Sequence, residues 1–368
     1  MLFQLPEFKP PDFRRPPFDS MSRVITAIAP RDGIAPDNFH ATSNHPEYIC
    51  LGRGKWILVP ESRMDCAFVL RGDSVEVVEL RRLKKGDAVV LGRSENGEEG
   101  VFVHTEGFEW NRHKVPDKFS FRIKGTRENS FSRSYDALYE LLRHDREHGY
   151  IVWVAGPAVA FDKDSREAMQ ELIRTGFCHA LIAGNALATH DLEAAVFKTG
   201  LGRDIYSQYP VRYGHYHHLE VLNMVRGIGS MRGFFRKKGI REGIMHACEE
   251  HNVPYVLSGS IRDDGPLPEV IADAYEAQDA MRVHARKATT VIALATQLHS
   301  IAFGNMIPSY RIMEDGTVRP VYFHVVDISE FSVDKLANRG SIQTTAVLTN
   351  VQDFMVNLWR NLRQSKRG

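Results

Sequence analysis

Two different periodicities of apolar and polar residues divide this chain. Between residue 22 and about residue 123 the apolar stretches are short or alternating, at 56–59, 66–70, 75–80, 88–91 and 101–103. Glycine and charged residues separate them, as in Arg71-Gly72-Asp73, Lys84-Lys85-Gly86-Asp87 and Glu95-Asn96-Gly97. Strand side chains alternate between two faces, so short runs at this regular spacing predict a small antiparallel sheet or barrel. No long helical period occurs there.

From about residue 131 the period lengthens. Tyr135, Leu138, Leu141 and Leu142 fall on one helical face, and Gly149 ends the run. An apolar strand is predicted at 151–155. Asp164 with Glu167 has the spacing of a capping box, Ala168, Met169, Leu172 and Ile173 share a face, and Gly176 suits the position just past a helix. The next strand is 180–183, after a connection long enough for a parallel pair. The alternation continues: helix 242–250 and strand 253–257, helix 274–287 and strand 290–295, strand 321–326 and helix 331–338, strand 344–349 and helix 351–362. Alternating elements of this kind predict an α/β fold with a doubly wound, mostly parallel sheet.

Ahead of both regions, Phe3, Phe8, Phe13 and Phe18 interleave with Pro6, Pro10, Pro11, Pro16 and Pro17. Proline fixes φ and removes backbone donors, so residues 1–21 read as an extended arm. It is either a loose tail or a strap whose aromatics dock on a neighbouring subunit. The expected organisation is therefore an arm over 1–21, a β-rich, barrel-like domain over 22–125, and a doubly wound, Rossmann-like domain over 126–368.

Small and polar residues gather where each parallel strand ends. Gly156 and Pro157 follow the first strand; Gly184, Asn185, Ala186 and, further on, Asp191 follow the second. Gly259 and Ser260 follow the third; Thr296, Gln297, His299, Ser300 and then Asn305 follow the fourth; Asp327 follows the fifth. In an open α/β sheet these ends share one edge, and ligands bind there. Glycines expose N–H groups and helix N-termini that suit a pyrophosphate, and Asp327 is placed to accept from ribose hydroxyls. The set points to a dinucleotide site, with Gly156, Pro157, Gly184, Asn185, Ala186, Asp191, Gly259, Ser260, Ser300, Asn305 and Asp327 as candidates. Asp191 reads equally well as the start of a helix. No G-x-G-x-x-G fingerprint follows the first strand.

The third turn, GSIRDDGPLP at 259–268, holds the densest chemistry. Adjacent Asp263 and Asp264 near ligand charge can have separated pKa values and serve acid–base work, or they cap the following helix. His215, His217 and His218 invite a metal reading, but the HExxH pattern and carboxylates at ligand spacing are missing, so no metal is expected. Ligand hydrogen bonding and a structural role both remain open for them. Cys178 and Cys248 read as packing residues, and the basic stretch 232–241 as a solvated face.

Composition narrows the class. Of 368 residues 43% are hydrophobic and 25% charged, which fits a folded globular chain. A formal charge of +1 gives no global attraction to nucleic acid or an anionic membrane. No apolar run approaches the roughly 20 residues that span a bilayer. The N-terminal region lacks the continuous apolar segment of a signal peptide. Four widely spaced cysteines suggest a reduced, cytoplasmic setting.

With these residues in view, the sequence resembles the NAD-dependent ornithine cyclodeaminase family of the archaeal and cyanobacterial type, also described as lysine-oxoglutarate reductase/saccharopine dehydrogenase-like. FHATSNHP at 39–46, Met64-Asp65-Cys66, GPAV at 156–159, AGNALATHD at 183–191, GSIRDDGPLP, ATQLHSIAFGN at 295–305 and NRGSIQ at 338–343 carry the resemblance, in family order. It departs after GPAV, where Ala160-Phe161-Asp162 stands, at Ile328-Ser329-Glu330, and over 311–317. The resemblance implies NAD as cofactor, an amino-acid substrate, a homo-oligomer, and conversion of L-ornithine to L-proline and ammonia by hydride removal and return. It directs catalytic attention to Asp264, Asp263, Arg262, Asn44, His45 and Cys66. Asp263 and Asp264 would act as general base and orient the amine. Arg262 would bind the α-carboxylate or pair with either aspartate, and Cys66 is a site residue or a buried small one. An amino-acid dehydrogenase acting on another amine and a non-catalytic NAD-binding regulatory protein are the alternatives.

Overall fold

In the computed structural model, which describes the chain except residues 1–3, 53, 110–131, 264, 331, 333–334, 336–342 and 365–368, the longer-period region surrounds a seven-stranded sheet. Its order is Val270–Ile271, Tyr255–Ser258, Ala180–Gly184, Ile151–Ala155, Thr290–Leu294, Tyr322–Asp327 and Gln343–Leu348. All neighbouring pairs are parallel, so all C-terminal strand ends lie on one edge. The chain enters at Ile151–Ala155, builds outward to Val270–Ile271, then returns to the other side of its first strand. The direction reverses between Ile151–Ala155 and Thr290–Leu294, where such sheets open a crevice.

The strands are continuous apolar runs because both faces are covered. All five residues of Ile151–Ala155 are fully buried. Trp153 joins Met169, Leu181 and Phe354 in one apolar layer, whereas Val152 and Val154 join Ile182, Phe303 and Phe323 in the other. That division follows the two-residue side-chain period.

Helix α1, Ser132–His148, precedes the sheet, and α2, Lys163–Arg174, follows its first strand. Asp162, rather than Asp164, caps α2: its backbone is extended and its carboxylate accepts from the Ser165 N–H at 2.9 Å. Asp164 falls in the first turn, where its charge still meets the positive end of the helix dipole. Gly176 takes φ +82° just past the helix.

Residues 185–241 hold elements the periodicity did not reveal. They are α3 (Asn185–Phe197), a hairpin of Thr199–Gly200 with Arg203–Asp204, α4 (His217–Ile228) and α5 (Met231–Lys238). Leu187 through Ala194 are all buried, so α3 has no polar face to set a period. The basic stretch forms α5, which buries Met231, Phe234 and Phe235 beneath its cationic side chains. Helices α6 (Ile244–Glu250), α7 (Ala274–Ala285), α8 (Gln297–Met306) and α9 (Val351–Gln364) complete the layers. Most of the helix expected at 331–338 and most of NRGSIQ lie outside the described residues.

The shorter-period region forms two antiparallel sheets. One runs Thr26–Ile28, Ala88–Val90, Cys66–Arg71, Ser74–Glu79; the other runs Trp56–Leu58, Glu47–Cys50, Val101–Val103. Ile49, Phe68, Val75, Val90 and Val101 pack between them. From residue 4 onward the arm packs on its own chain. Glu7–Phe8 pairs with Phe108–Glu109, Phe13 stacks on Trp56 at 4.8 Å, and Phe18 meets Phe102 edge-on at 4.8 Å. Phe8, Phe13 and Phe18 cover aromatic surface on the chain's own β-rich domain.

The two regions are joined by buried polar contacts. Glu79 accepts from Arg63 at 2.8 Å and from Arg282 of α7 at 2.9 Å, and both guanidinium groups are buried. The Ser309 N–H donates to the Ser62 carbonyl at 3.0 Å, and the buried Tyr310 hydroxyl donates to the Val59 carbonyl.

Candidate active site

The crevice at the strand reversal is built by close backbone approach. The Gly156 N–H donates to the Leu294 carbonyl at 2.7 Å, and a Cβ on Gly156 would lie 2.1 Å from the Ala295 oxygen. Ala295 itself takes φ +45°, a left-handed conformation that costs a non-glycine residue energy. Pro157 then opens a 3-10 turn. Gly184 and Thr296 are the N-caps of α3 and α8, and neither helix has a side-chain cap. Their leading N–H groups, Ala186's among them, are the orphan donors that bind anionic groups. Ser258 Oγ and Gln297 Nε2 are buried with no hydrogen-bond partner among the described residues. Both stand at strand ends on this edge. Buried polar atoms are nearly always satisfied, so two orphans here point to a ligand. The set suits a dinucleotide.

His299, named in the run after the fourth strand but left out of the candidate set, stands at this edge. Its Nδ1 shares a hydrogen with Thr296 Oγ1 at 3.0 Å, and a Cβ on Gly184 would touch its ring at 3.0 Å. Burial lowers its pKa, against an opposing pull from the Asp263 charge, so the imidazole is neutral at neutral pH. Asp263 Oδ2 accepts from the Ser260 N–H at 2.8 Å, and the Arg262 N–H donates to Ser260 Oγ at 3.0 Å, folding the turn on itself. Arg262 is exposed and forms no ion pair with Asp263 among the described residues. Gly259 packs against the edge strand, where a Cβ would lie 3.1 Å from Ala272 Cα. Asp264 lies outside the described residues. Asp327 ends its strand half-buried, with Oδ1 accepting from the Ser329 N–H at 2.8 Å.

Several expected contacts are placed elsewhere. Asp191 is a structural residue: Oδ1 accepts from Arg166 Nε at 2.7 Å and the Ile244 N–H at 2.9 Å, and Oδ2 from the Met245 N–H at 2.8 Å. It neutralises a buried guanidinium and caps α6. Asn185 Oδ1 accepts from the Leu267 N–H at 3.1 Å, tying α3 to the GPLP loop. The buried Ser300 hydroxyl donates to the Thr296 carbonyl within its own helix. Asn305 sits near the far end of α8, roughly 12 Å along the axis from its start. Cys66 belongs to the β-rich core, and burial pushes its thiol up to about 11, which makes it a packing residue. His217 stacks on Phe197 at 4.4 Å and shares a hydrogen with Thr199 Oγ1 at 2.8 Å. No group of His, Cys, Asp or Glu among the described residues can hold a metal ion.

In the β-rich domain Asn44 Oδ1 and His45 Nδ1 are also buried and partnerless among the described residues. Burial lowers the His45 pKa, opposed by the charge of Glu47. Glu47, fully buried, fastens this loop by accepting from the Ser43 N–H at 3.2 Å and from the Ser62 hydroxyl at 2.5 Å. Its carbonyl accepts from the Val59 N–H at 2.8 Å, next to the carbonyl that Tyr310 holds.

Comparison with known proteins gives this geometry a family. Residues 137–358 match the family described as arginine dihydrolase ArgZ-like, C-terminal, Rossmann fold. The ornithine cyclodeaminase of Methanopyrus kandleri is 38% identical over 346 residues, covering 91% of this chain and 77% of that protein. The bifunctional arginine dihydrolase/ornithine cyclodeaminase ArgZ of Synechocystis is 35% identical over 361 residues, covering 96% of this chain and 48% of the larger relative. The crystal structure of an LOR/SDH protein from Methanococcus maripaludis superposes with a TM-score of 0.84 at 33% identity, covering 94% of this chain and all of that one. The ternary complex of AgrE with ornithine and NAD+ superposes with a TM-score of 0.60 at 32% identity, over 94% of this chain and 47% of AgrE. The chain belongs to the ornithine cyclodeaminase family, with the ArgZ-like Rossmann-fold C-terminal domain.

Proposed function

We propose that this chain is an NAD-dependent ornithine cyclodeaminase, converting L-ornithine or a closely related diamino acid to L-proline or the corresponding cyclic product with release of ammonia. The observation that carries the reading is the strand-end edge itself. Uncapped helix N-termini meet the buried, partnerless Ser258 and Gln297 there, in a chain whose relatives bear that name. Bound NAD supplies a hydride acceptor that returns the hydride within one turnover.

The chain's own residues bind, orient and move protons. The leading N–H groups of α3 and α8 face the phosphates, with the Ser260 hydroxyl at the same edge, and Asp327 takes the ribose. Asp263 and Asp264 orient the side-chain amine and exchange its proton, with neutral His299 near Asp263. Arg262 offers a planar fork to the α-carboxylate. Asn44 and His45 hold the reacting end from the β-rich domain. Free, buried thiols at all four cysteines support a cytoplasmic setting. No helix among the described residues is long and apolar enough to cross a membrane.

The test is direct. Denatured protein is analysed for released dinucleotide, and the purified chain is incubated with L-ornithine and NAD+ while ammonia, proline and NADH are followed. Ammonia and proline without net NADH are expected. Net NADH would make the chain a dehydrogenase, and the absence of both dinucleotide binding and ammonia would overturn the reading.

A further inference from the structure

A cleft of about 780 Å³ opens on the sheet edge opposite the candidate active site, at the feet of the three central strands. His148 and Tyr150 line it from the end of α1 and the approach to Ile151–Ala155, Lys287 from just past α7, and Arg311, Ile312 and Arg319 from a hairpin. Its size lies within the ~300–1,000 Å³ of small-ligand sites. The hairpin pairs Tyr310–Ile312 with Val318–Pro320 and leads straight into Tyr322–Asp327. Its turn occupies the stretch 311–317, where the sequence departs from the family pattern, so the family does not prescribe this cleft. The five residues of Ile151–Ala155, roughly 16 Å of strand, separate it from the strand-end edge.

The cations of the cleft are unevenly neutralised. Buried Arg319 gives both Nη atoms to the buried Asp145, at 2.9 and 3.0 Å. Asp145 also accepts from Thr289 Oγ1 at 2.6 Å and Thr290 Oγ1 at 2.8 Å, so its carboxylate is fully engaged. Arg319 Nε is left buried with no hydrogen-bond partner among the described residues. Buried donors are nearly always paired, so this one points to an acceptor from outside the chain.

Arg311 is half-buried, and its Nη1 donates to the Lys287 carbonyl. It forms no ion pair among the described residues, and its Nε and Nη2 have no partner there. Burial lowers its pKa; Glu61 opposes, and the charge of Arg319 adds to the lowering. Glu61 is itself held by Arg286 at 3.3 Å. Lys287 Nζ lies 6.0 Å from the centre of the Tyr150 ring and meets no carboxylate among the described residues. Glu314 and Asp315, on the hairpin turn, pair with neither cation; Asp315 Oδ1 accepts instead from the Thr317 N–H at 2.9 Å.

A guanidinium edge, an ammonium and a buried N–H offer donors and no acceptor. They suit a negatively charged, acceptor-rich head group. The free Nε–Nη2 edge of Arg311 presents two parallel N–H bonds, which match a carboxylate or a phosphate bidentately. Leu5, Ile312 and Met313 add apolar surface for a small carbon body. We propose that this cleft binds a small organic anion, held through a carboxylate or phosphate head group by Arg311 and Lys287.

Titration calorimetry of the full chain tests this with two probes, glycerol 3-phosphate and succinate, after NAD+ has been added to saturation to fill the strand-end edge. One saturable site per chain is expected for at least one probe, and the tighter of the two identifies the head group. Lys287 is exposed and makes no side-chain hydrogen bond among the described residues. Lys287→Gln is therefore expected to keep wild-type urea unfolding and NAD+ affinity while weakening the probe by about tenfold or more. Arg311→Ala is expected to weaken it at least as much; should that variant fold poorly, Lys287→Gln decides alone. The loss on Lys287→Gln assigns the site whether or not the chain turns over ornithine. Neither probe saturating, or folded variants that bind the probe as the wild type does, would overturn the proposal.

Discussion

Replacing Gly156 with alanine isolates the geometry of the strand-reversal crevice. Gly156 has φ −84° and ψ 168°, which alanine adopts without strain, so the perturbation is steric alone. The added Cβ would lie 2.1 Å from the Ala295 oxygen, 2.7 Å from its carbonyl carbon and 3.1 Å from the Leu294 oxygen. Both near neighbours are backbone, which has no rotamer through which to escape. Ordinary contact requires the ends of Ile151–Ala155 and Thr290–Leu294 to part by roughly 1 Å, at a cost of about 1–3 kcal/mol in stability. A displacement of ~1 Å at a reacting centre costs around a hundredfold in rate. Urea unfolding and the rate of ammonia release from L-ornithine read the two effects, titration calorimetry against NAD+ follows the cofactor site, and Gly227→Ala is the control. That glycine lies inside α4 with nothing within 4 Å of its Cβ position, so alanine there is expected to stabilise by about 0.5–1 kcal/mol. A Gly156→Ala protein with wild-type unfolding and a wild-type rate of ammonia release would refute the reasoning.

Four further outcomes follow from the same structure. Asp264→Asn keeps the side-chain shape and removes its proton affinity, so turnover is expected to fall by about 10²–10⁴-fold with the fold intact; near-normal kcat would move the role to Asp263 or His45. Asp191→Ala strands the buried Arg166 and uncaps α6, at an expected ~3–5 kcal/mol in urea; an unchanged urea midpoint with collapsed NAD+ affinity would return Asp191 to the cofactor site. His324 is buried and neutral, its pKa held down to about 4, so the unfolded chain takes up a proton below ~6.5 that the folded chain refuses. Its contribution is whole above that pH and lost as pH falls towards 4, by up to ~3 kcal/mol; His324→Leu should flatten stability against pH in that window, and an unaltered slope would sink the assignment. Glu79→Gln removes the charge between Arg63 and Arg282, so KM for ornithine is expected to rise while NAD+ affinity holds; equal losses in both would show that Glu79 supports the fold as a whole.

Hydrophobic periodicity determined the elements that bury a pattern of their own. Ile151–Ala155 and Thr290–Leu294 are legible because both faces are covered, which demands an unbroken apolar run. Small residues after the first strand were legible as a place of close approach, since only they let backbone approach backbone, as Gly156 approaches Ala295. What the sequence could not determine is which distant groups meet. Asp191 sits in a motif that suggests a ligand contact, and only the packing of α3 against α2 and α6 gives its carboxylate to Arg166 and two N–H groups. His299 became visible as a site residue only when folding set it beside Gly184 and Asp263. Helix α3, buried on most sides, has no polar face and so leaves no period to read. Periodicity records how an element divides its surface between core and water. The identity of its neighbours depends on topology, which brings residues far apart in the chain within hydrogen-bond distance.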